Sequence, residues 1–407
     1  MRCKYVSILI VLTGGVLLWG CAPPFTESGD GVLGAVASST YLAAGSGGTD
    51  ADEDPAVASP KPSWQFRGTV HGTGDYQLFE LGSGLRGEEW TLTGGGYAGA
   101  SAYLVVLFDA NHDLLRRQII TGRSPLRHVI RADTPTLYAG VTPAPGSDGG
   151  SFDLAASRGG TVAVPGPAAQ LVWVNFGPAS DVRVHRRAPI SFAAFDAGVL
   201  GSAYAGHSAE MKAAILSAMR EDYADYNVVI MSSDEGPPPG DVHSVIHLGG
   251  NDSRLLGLAD NVDQYNSNPA QAAVVYVESF AVFDVMKLSV AEMGQMIGNT
   301  ASHELGHLLG LYHTTRVDGI MDTTGSAWDL VEDQAFKSGE LEPSVFPMGY
   351  ENSPARLAET VGYNPSPPKQ GVAKHLDAAK ILKKARLRAL VRQELRCRCG
   401  NCLNPDE

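Results

Sequence analysis

His303-Glu-Leu-Gly-His307-Leu-Leu-Gly310-Leu-Tyr-His313 is the segment that most strongly constrains the structure of the second half of the chain. His303 and His307 are four residues apart, so on a helix their imidazoles lie on one face, one turn apart. Gly310 can adopt a left-handed conformation that ends the helix, after which the chain turns and brings His313 back. Imidazoles at this spacing can share one Zn²⁺ at about 2.0–2.1 Å, and three protein ligands leave a fourth position open.

The sequence around this segment predicts an α+β domain over residues 168–364. Ser289-Val-Ala-Glu292 matches a capping box and predicts a helix that runs to about Leu309. A second amphipathic helix is predicted from Ala205 to about Tyr223. Apolar runs predict strands that precede the motif helix: Leu171–Phe176, Asn227–Met231, Ser244–Leu248 and Ala273–Val277.

The complete pattern H-E-x-x-H-x-x-G-x-x-H resembles that of the metzincin metalloproteases. Gly319-Ile-Met321-Asp322 follows the third histidine, and the resemblance identifies Met321 with the family's Met-turn. Thr314 stands where matrixins, astacins and reprolysins typically carry Ser, Glu and Asp. The subfamily therefore stays open, with a matrixin-like or pappalysin-like bacterial branch favoured. The specific part of the resemblance covers residues 303–322.

The resemblance implies a zinc-dependent endopeptidase acting on extracytoplasmic protein or peptide substrates. Under this hypothesis His303, His307 and His313 bind one catalytic Zn²⁺, and Glu304 is the general base that takes a proton from a metal-activated water. The alternative from another class is a non-catalytic surface-binding lipoprotein with a structural zinc site. A peptidase that cleaves only one dedicated partner protein is a third reading.

The preceding residues, 63–158, predict an all-β sandwich. Short alternating apolar runs are separated by turn clusters such as GTGD, GSG, GGG and DANHD, and helical periodicity is missing. The order of elements resembles the pre-peptidase C-terminal domain, a jelly-roll module of secreted bacterial peptidases. The resemblance implies an accessory module for docking or folding. The fold class is therefore a jelly-roll-like sandwich followed by an α+β metzincin-like domain.

Other polar clusters are weaker candidates for metal sites. Asp109-Ala-Asn-His-Asp113 alternates oxygen ligands like a calcium loop but lacks the Gly and distal Glu of an EF-hand, which favours a hairpin turn. His243 and His247 share one face of a strand and are read as strand residues before metal ligands. Structural calcium is possible but has no support from the ligand pattern. A solvated loop is favoured for a further polar set: Asn251, Asp252, Asp260 and Asp263.

Three more histidines, His71, His112 and His128, show no ligand spacing. We interpret them as ordinary surface or turn residues.

The N-terminus predicts export. Basic residues precede an apolar stretch at Val6–Leu18, which suits a signal peptide and is short for a membrane span. Leu18-Trp-Gly-Cys21 resembles the lipobox of bacterial lipoproteins, which implies lipidation of Cys21 and a signal at residues 1–21. An ordinary secretory signal with an incidental Cys21 is the alternative. Ala22, rather than Asp, follows the Cys, which favours the outer membrane. The predicted location is therefore the bacterial cell envelope, as an outer-membrane lipoprotein, or the extracellular space.

Composition bounds what else the chain can be. Its 407 residues suffice for two domains, with 44% apolar and 18% charged residues. A net charge of −13 argues against a nucleic-acid binder, because phosphate contacts need a basic face. Only the N-terminal stretch is long and apolar, which excludes a polytopic membrane protein.

Two segments flank the predicted domains. Residues 22–62 are Gly-, Ser-, Ala- and Pro-rich and predict a flexible linker. Residues 365–407 predict a basic helical tail, either one solvated face docked on an acidic protein or a face for anionic lipid. The tail carries an odd number of cysteines: Cys397, Cys399 and Cys402.

Overall fold

The computed structural model describes residues 63–72, 74–95, 102–120 and 124–366. The predicted signal peptide with Cys21, the linker at 22–62 and the tail from residue 367 with its cysteines lie outside these residues. None of the helices in the described ranges combines the length and apolar composition that a bilayer crossing requires. The predictions of a β-rich unit and of a following mixed unit both fall within the described part.

The first unit consists of two four-stranded antiparallel sheets packed face to face. Their orders are β1-β8-β3-β6 and β2-β7-β4-β5. The sandwich core between them includes Trp90, Leu92, Leu107 and Leu154. The strands are β1 (Ser63–His71), β2 (Gln77–Gly84), β3 (Glu88–Gly95), β4 (Tyr103–Phe108), β5 (Leu114–Ile120), β6 (Leu126–Val129), β7 (Thr134–Pro143) and β8 (Gly149–Thr161).

The second unit is built on a five-stranded sheet of order β12-β9-β13-β15-β14, in which only the edge strand β14 is antiparallel. Two short antiparallel pairs, β10-β11 and β16-β17, are separate from it. The strands are β9 (Gln170–Asn175), β10 (Ala179–Val182), β11 (Ile190–Phe192), β12 (Val228–Ser232), β13 (Ser244–Leu248), β14 (Gly257–Ala259), β15 (Ala272–Val275), β16 (Ser338–Glu340) and β17 (Tyr350–Asn352).

The helices of this unit are α1 (Ser208–Asp222), α2 (Val290–Leu308) and α3 (Ser353–Thr360). Short 3₁₀ helices also occur, the longest at Val277–Met286. The capping box predicted from the sequence is confirmed: Ser289 accepts from the Glu292 amide, and the Glu292 carboxylate accepts from the Ser289 amide. The helix that carries the motif is therefore fixed at its first turn.

Small residues let α1 and α2 approach closely. Gly294 and Gly298 on α2 face Ala214 and Ala218 on α1, and a Cβ at Gly298 would lie 2.6 Å from that of Ala218. Every α2 residue from Met296 to Leu308 is buried, including the polar ones. The motif helix thus runs through the middle of the unit, between α1 and the sheet.

The two units pack against each other through strand β4. Its residues alternate between the sandwich core and a second apolar cluster, which we call the shared cluster. This cluster combines sandwich residues with residues of the second unit: Leu104, Val106, Phe108, Leu114, Tyr312, Leu341, Val345 and Phe346. Because both faces of β4 are buried, its sequence is a continuous apolar run rather than an alternating one.

Candidate metal centre

Three histidines converge at the end of α2. The Nε2 of His313 lies 3.0 Å from the Nε2 of His307 and 3.2 Å from that of His303. Ligand nitrogens bound tetrahedrally at zinc distances lie about 3.3 Å apart, close to these separations. All three side chains are buried. Among the described residues no other group of three or more His, Cys, Asp and Glu residues has the geometry of a metal site.

Two of the rings are oriented by backbone carbonyls. The Nδ1 of His303 lies 2.7 Å from the carbonyl oxygen of Ile320, and the Nδ1 of His307 lies 2.8 Å from that of Leu311. Since a carbonyl only accepts, each Nδ1 carries the proton and each Nε2 presents a lone pair. Burial also lowers the pKa of His307 to about 4, which keeps the imidazole neutral.

A cation bound among converging ring nitrogens satisfies lone pairs that point toward one another. His303 and His307 present two such lone pairs toward the same point, and His313 presents its Nε2 there as well. Neutral imidazole nitrogens are common ligands of Zn²⁺. The residues present therefore fit a zinc ion bound by three histidines.

Glu304 lies beside the histidines but outside the ligand set. Its Oε2 is buried and has no hydrogen-bond partner among the described residues, and the carboxylate accepts a hydrogen bond from the backbone of Ala259 on β14. Burial raises the pKa of this carboxyl well above its ordinary value. Gly257 on the same strand allows this approach, because a Cβ there would overlap the Glu304 carboxylate.

The turn after α2 delivers the third histidine. Gly310 has φ +93°, and the amides of Gly310 and Leu311 donate to the carbonyls of His307 and Gly306. The chain reverses there as the sequence predicts. The adjacent loop is tied to the same point, because the amide of Asp263 donates to the carbonyl of His307 at 3.0 Å.

Met321 lies beneath the motif. A Cβ at Gly306 would be 2.7 Å from the sulfur of Met321, so the glycine makes room for the methionine. The carbonyl of Met321 accepts from the amide of Thr314, which joins this turn to the residue that follows His313. The turn predicted from the sequence thus lies against the helix and the third histidine together.

The remaining polar candidates have other partners. Asp109 accepts from the amides of Asn111 and Asp113, as a hairpin turn requires. Asp263 accepts from the hydroxyl of Ser267 and the amide of Asn268.

Asp260, Asp252 and the two strand histidines also have partners. Asp260 accepts from the amide of His185, and Asp252 pairs with Arg187. His247 hydrogen-bonds with the side chain of Asn175, and His243 contacts the carbonyl of Asp241.

Sequence reasoning missed two features near the site. Strand β14 lies within the segment predicted as a polar loop, where three residues are too few to give a periodic signal. The expectation that His128 is a surface or turn residue is wrong: it is buried on β6, and its ring stacks on Tyr265 with centroids 5.8 Å apart. This contact joins the two units, and only their packing could reveal it.

Comparisons with known proteins give distant likenesses only. No protein-family model matches the chain, and no curated protein matches it. Archaemetzincin from Methanopyrus kandleri is 15% identical over 42% of this chain and 92% of its own, with a TM-score of 0.24.

Two further solved structures are similar to parts of the chain. Metalloproteinase-II from Bacteroides fragilis is 15% identical over 43% of this chain and 51% of its own, with a TM-score of 0.24. PliG, a periplasmic inhibitor of g-type lysozyme from Aeromonas hydrophila, is 18% identical over 25% and 91%, with a TM-score of 0.21. Any function assigned to the chain therefore rests on the geometry of its own site.

Proposed function

We propose that this chain is a zinc-dependent endopeptidase of the metzincin type. The observation that carries the proposal is the convergence of three buried imidazole nitrogens beside a buried carboxylate that does not join them. A closed structural site has four protein ligands, whereas His303, His307 and His313 supply three. The intact motif and Met321 beneath it support the same assignment.

The roles of the residues follow from their positions. The Nε2 atoms of the three histidines would hold zinc, which would supply a Lewis acid for the scissile carbonyl and would acidify water. Glu304 accepts the proton of the attacking water at Oε2, the oxygen that has no partner in the described part of the chain, and delivers it to the leaving amine. The bond from the Ala259 backbone orients this carboxylate. Strand β14 is an edge strand of the sheet, and an extended peptide substrate would add to a strand of this kind.

The finer fold assignments belong to the same proposal. The strand orders β1-β8-β3-β6 and β2-β7-β4-β5 support a jelly roll for the sandwich, since a jelly roll divides eight strands between two four-stranded sheets. The five-stranded sheet with one antiparallel edge strand beside the motif helix supports a metzincin-like catalytic domain. The domain bounds 63–158 and 168–364 remain those predicted from the sequence.

Localisation and partners are proposed from the sequence alone. The lipobox-like segment ending at Cys21 supports a bacterial cell-envelope lipoprotein, anchored by lipid at its N-terminus. Its substrates would then be extracytoplasmic proteins or peptides. The net charge of −13 supports the expectation that nucleic acid is not a partner.

The test compares the full chain with Glu304→Gln, a variant of the same size and shape. Both proteins are assayed against a diverse peptide library, and their zinc content is determined. We expect about one zinc in each, cleavage by the wild type and a loss of at least about 10²-fold in the variant. Two zinc-loaded proteins that both leave the library uncut would favour the binding protein or the dedicated-partner peptidase. A folded chain without zinc would refute the proposal.

A further inference from the structure

The residue before the third histidine belongs to the interface between the two units. Tyr312 is buried in the shared cluster with Leu104, Val106 and Phe108 of the sandwich strand β4. The guanidinium of Arg117, on the neighbouring strand β5, lies 5.8 Å from the centre of the Tyr312 ring. The position of the Tyr312 side chain is therefore set largely by the sandwich.

Residues 341–346, which bond to the backbone of the third histidine, also pack against the sandwich. The amide of Glu342 donates to the carbonyl of His313 at 3.1 Å, and Leu341 forms a β-bridge with Thr314. Leu341 and Phe346 belong to the shared cluster. Arg117 of the sandwich donates to the carbonyl of Val345 at 2.8 Å, which fixes this segment to β5.

The three histidines differ in what orients their rings. Carbonyl oxygens hold the Nδ1 atoms of His303 and His307. Within the described residues, no hydrogen bond is formed by the Nδ1 of His313. The place of its ring therefore depends on its contacts with the two other rings and on its own backbone, which Glu342 and the packing of Tyr312 hold.

We propose that the sandwich is a positioning element of the metal centre, acting on His313 through the shared cluster. The proposal rests on the proposed function, because it assumes that the three histidines bind zinc. It differs from the expectation of an accessory module for docking, which would leave the metal site independent of the sandwich. Val106 and Gly140 are positioning residues in this scheme, since neither touches the metal centre itself.

Adjacent residues on β4 provide a matched pair of variants. Val106 faces the shared cluster and Val105 faces the sandwich core, and they are 0% and 1% exposed. Val106→Ala and Val105→Ala remove the same atoms from the same strand on opposite faces. Gly140→Ala adds a second perturbation, because its Cβ would lie 2.7 Å from both Phe346 and Val106.

The measurement is metal binding by the full chain. Zinc-free protein is titrated with cobalt(II) alone while its visible absorption is recorded, and zinc affinity is obtained by competition with a chelator. Thermal unfolding of each zinc-free variant reports the stability of the fold separately. We expect Val106→Ala and Gly140→Ala to weaken zinc affinity by about 10-fold and to alter the cobalt spectrum. Val105→Ala should retain wild-type affinity and spectrum at a comparable loss of stability.

Equal metal affinity and identical spectra in all three variants would overturn the proposal. So would equal weakening by Val105→Ala and Val106→Ala, because the effect would then follow stability rather than the face of the strand. This outcome differs from a failure of the proposed function. A wild-type protein that binds cobalt and zinc but cleaves no peptide of the library would favour the binding protein or the dedicated-partner peptidase. The comparison of affinities would still decide the role of the sandwich.

Discussion

Gly310 is the position at which one added methyl group should disturb the metal centre most directly. Its φ of +93° is a conformation that residues with a side chain rarely adopt. A Cβ there would lie 2.8 Å from the carbonyl oxygen of Asp263 and the amide nitrogen of Tyr265, and 2.9 Å from the Cα of Gln264. These are backbone atoms, so Gly310→Ala must displace the loop that also bonds to the carbonyl of His307.

The expected loss in the free energy of unfolding of Gly310→Ala has two parts. A left-handed conformation costs a residue with a Cβ about 1–2 kcal/mol, and overpacking costs about 1–3 kcal/mol. Gly310→Ala should therefore lower the free energy of unfolding by about 2–5 kcal/mol. Gly206 provides the control, because it has φ +82° and its Cβ would meet nothing within 4 Å. Gly206→Ala should show the conformational part alone.

The assay is urea unfolding of both zinc-loaded variants, together with zinc affinity by chelator competition. We expect Gly310→Ala to be less stable than Gly206→Ala by about 1–3 kcal/mol and to bind zinc more weakly. Gly206→Ala should bind zinc like the wild type. Equal stability and equal zinc affinity of the two variants would refute the argument that this turn and the adjacent loop fix the end of the motif helix.

Three further predictions concern stability. Burial and nearby arginines hold the pKa of His128 well below its ordinary value in the folded state. Below about pH 6.5 the unfolded chain therefore takes up a proton here that the folded chain does not, so the free energy of unfolding falls as the pH falls toward the folded-state pKa. Between pH 7.5 and 5.5 the free energy of unfolding of zinc-loaded wild type should drop about 1 kcal/mol more than that of His128→Gln, and equal drops would contradict this reasoning. The side-chain amide of Asn299 donates to the carbonyls of Leu330 and Glu332 at 2.8 Å. Asn299→Ala should therefore lower the free energy of unfolding in urea by about 2–3 kcal/mol. A loss below about 0.5 kcal/mol would be inconsistent with these buried hydrogen bonds. Chelation of zinc should lower the melting temperature, and added zinc should restore it. At a free zinc concentration of 100 Kd, zinc should raise the free energy of unfolding by about 2.7 kcal/mol, whereas His313→Ala should respond much less.

The parts of the site that could be predicted from the sequence are encoded locally. The spacing of His303 and His307 fixes their common face on any helix, and the capping box of Ser289 and Glu292 fixes where that helix begins. Gly310 gives the turn because few other residues tolerate its backbone conformation. Each of these signals lies within one element, so no tertiary information was needed.

The features that could not be predicted depend on contacts between distant segments. β14 is only three residues long, and it exists because β15 pairs with it. His128 gives no local sign that it is buried against Tyr265, which lies in the other unit. The apolar run of β4 indicates a buried strand, but the sequence does not say that one of its faces packs on Tyr312.

The most direct test of the metal centre is X-ray absorption at the zinc edge of the zinc-loaded full chain. We expect three nitrogen ligands from histidine at about 2.0–2.1 Å and one oxygen ligand at the open position. A fourth protein ligand, such as a sulfur at about 2.3 Å, would contradict a catalytic site with an open position and would favour a structural zinc.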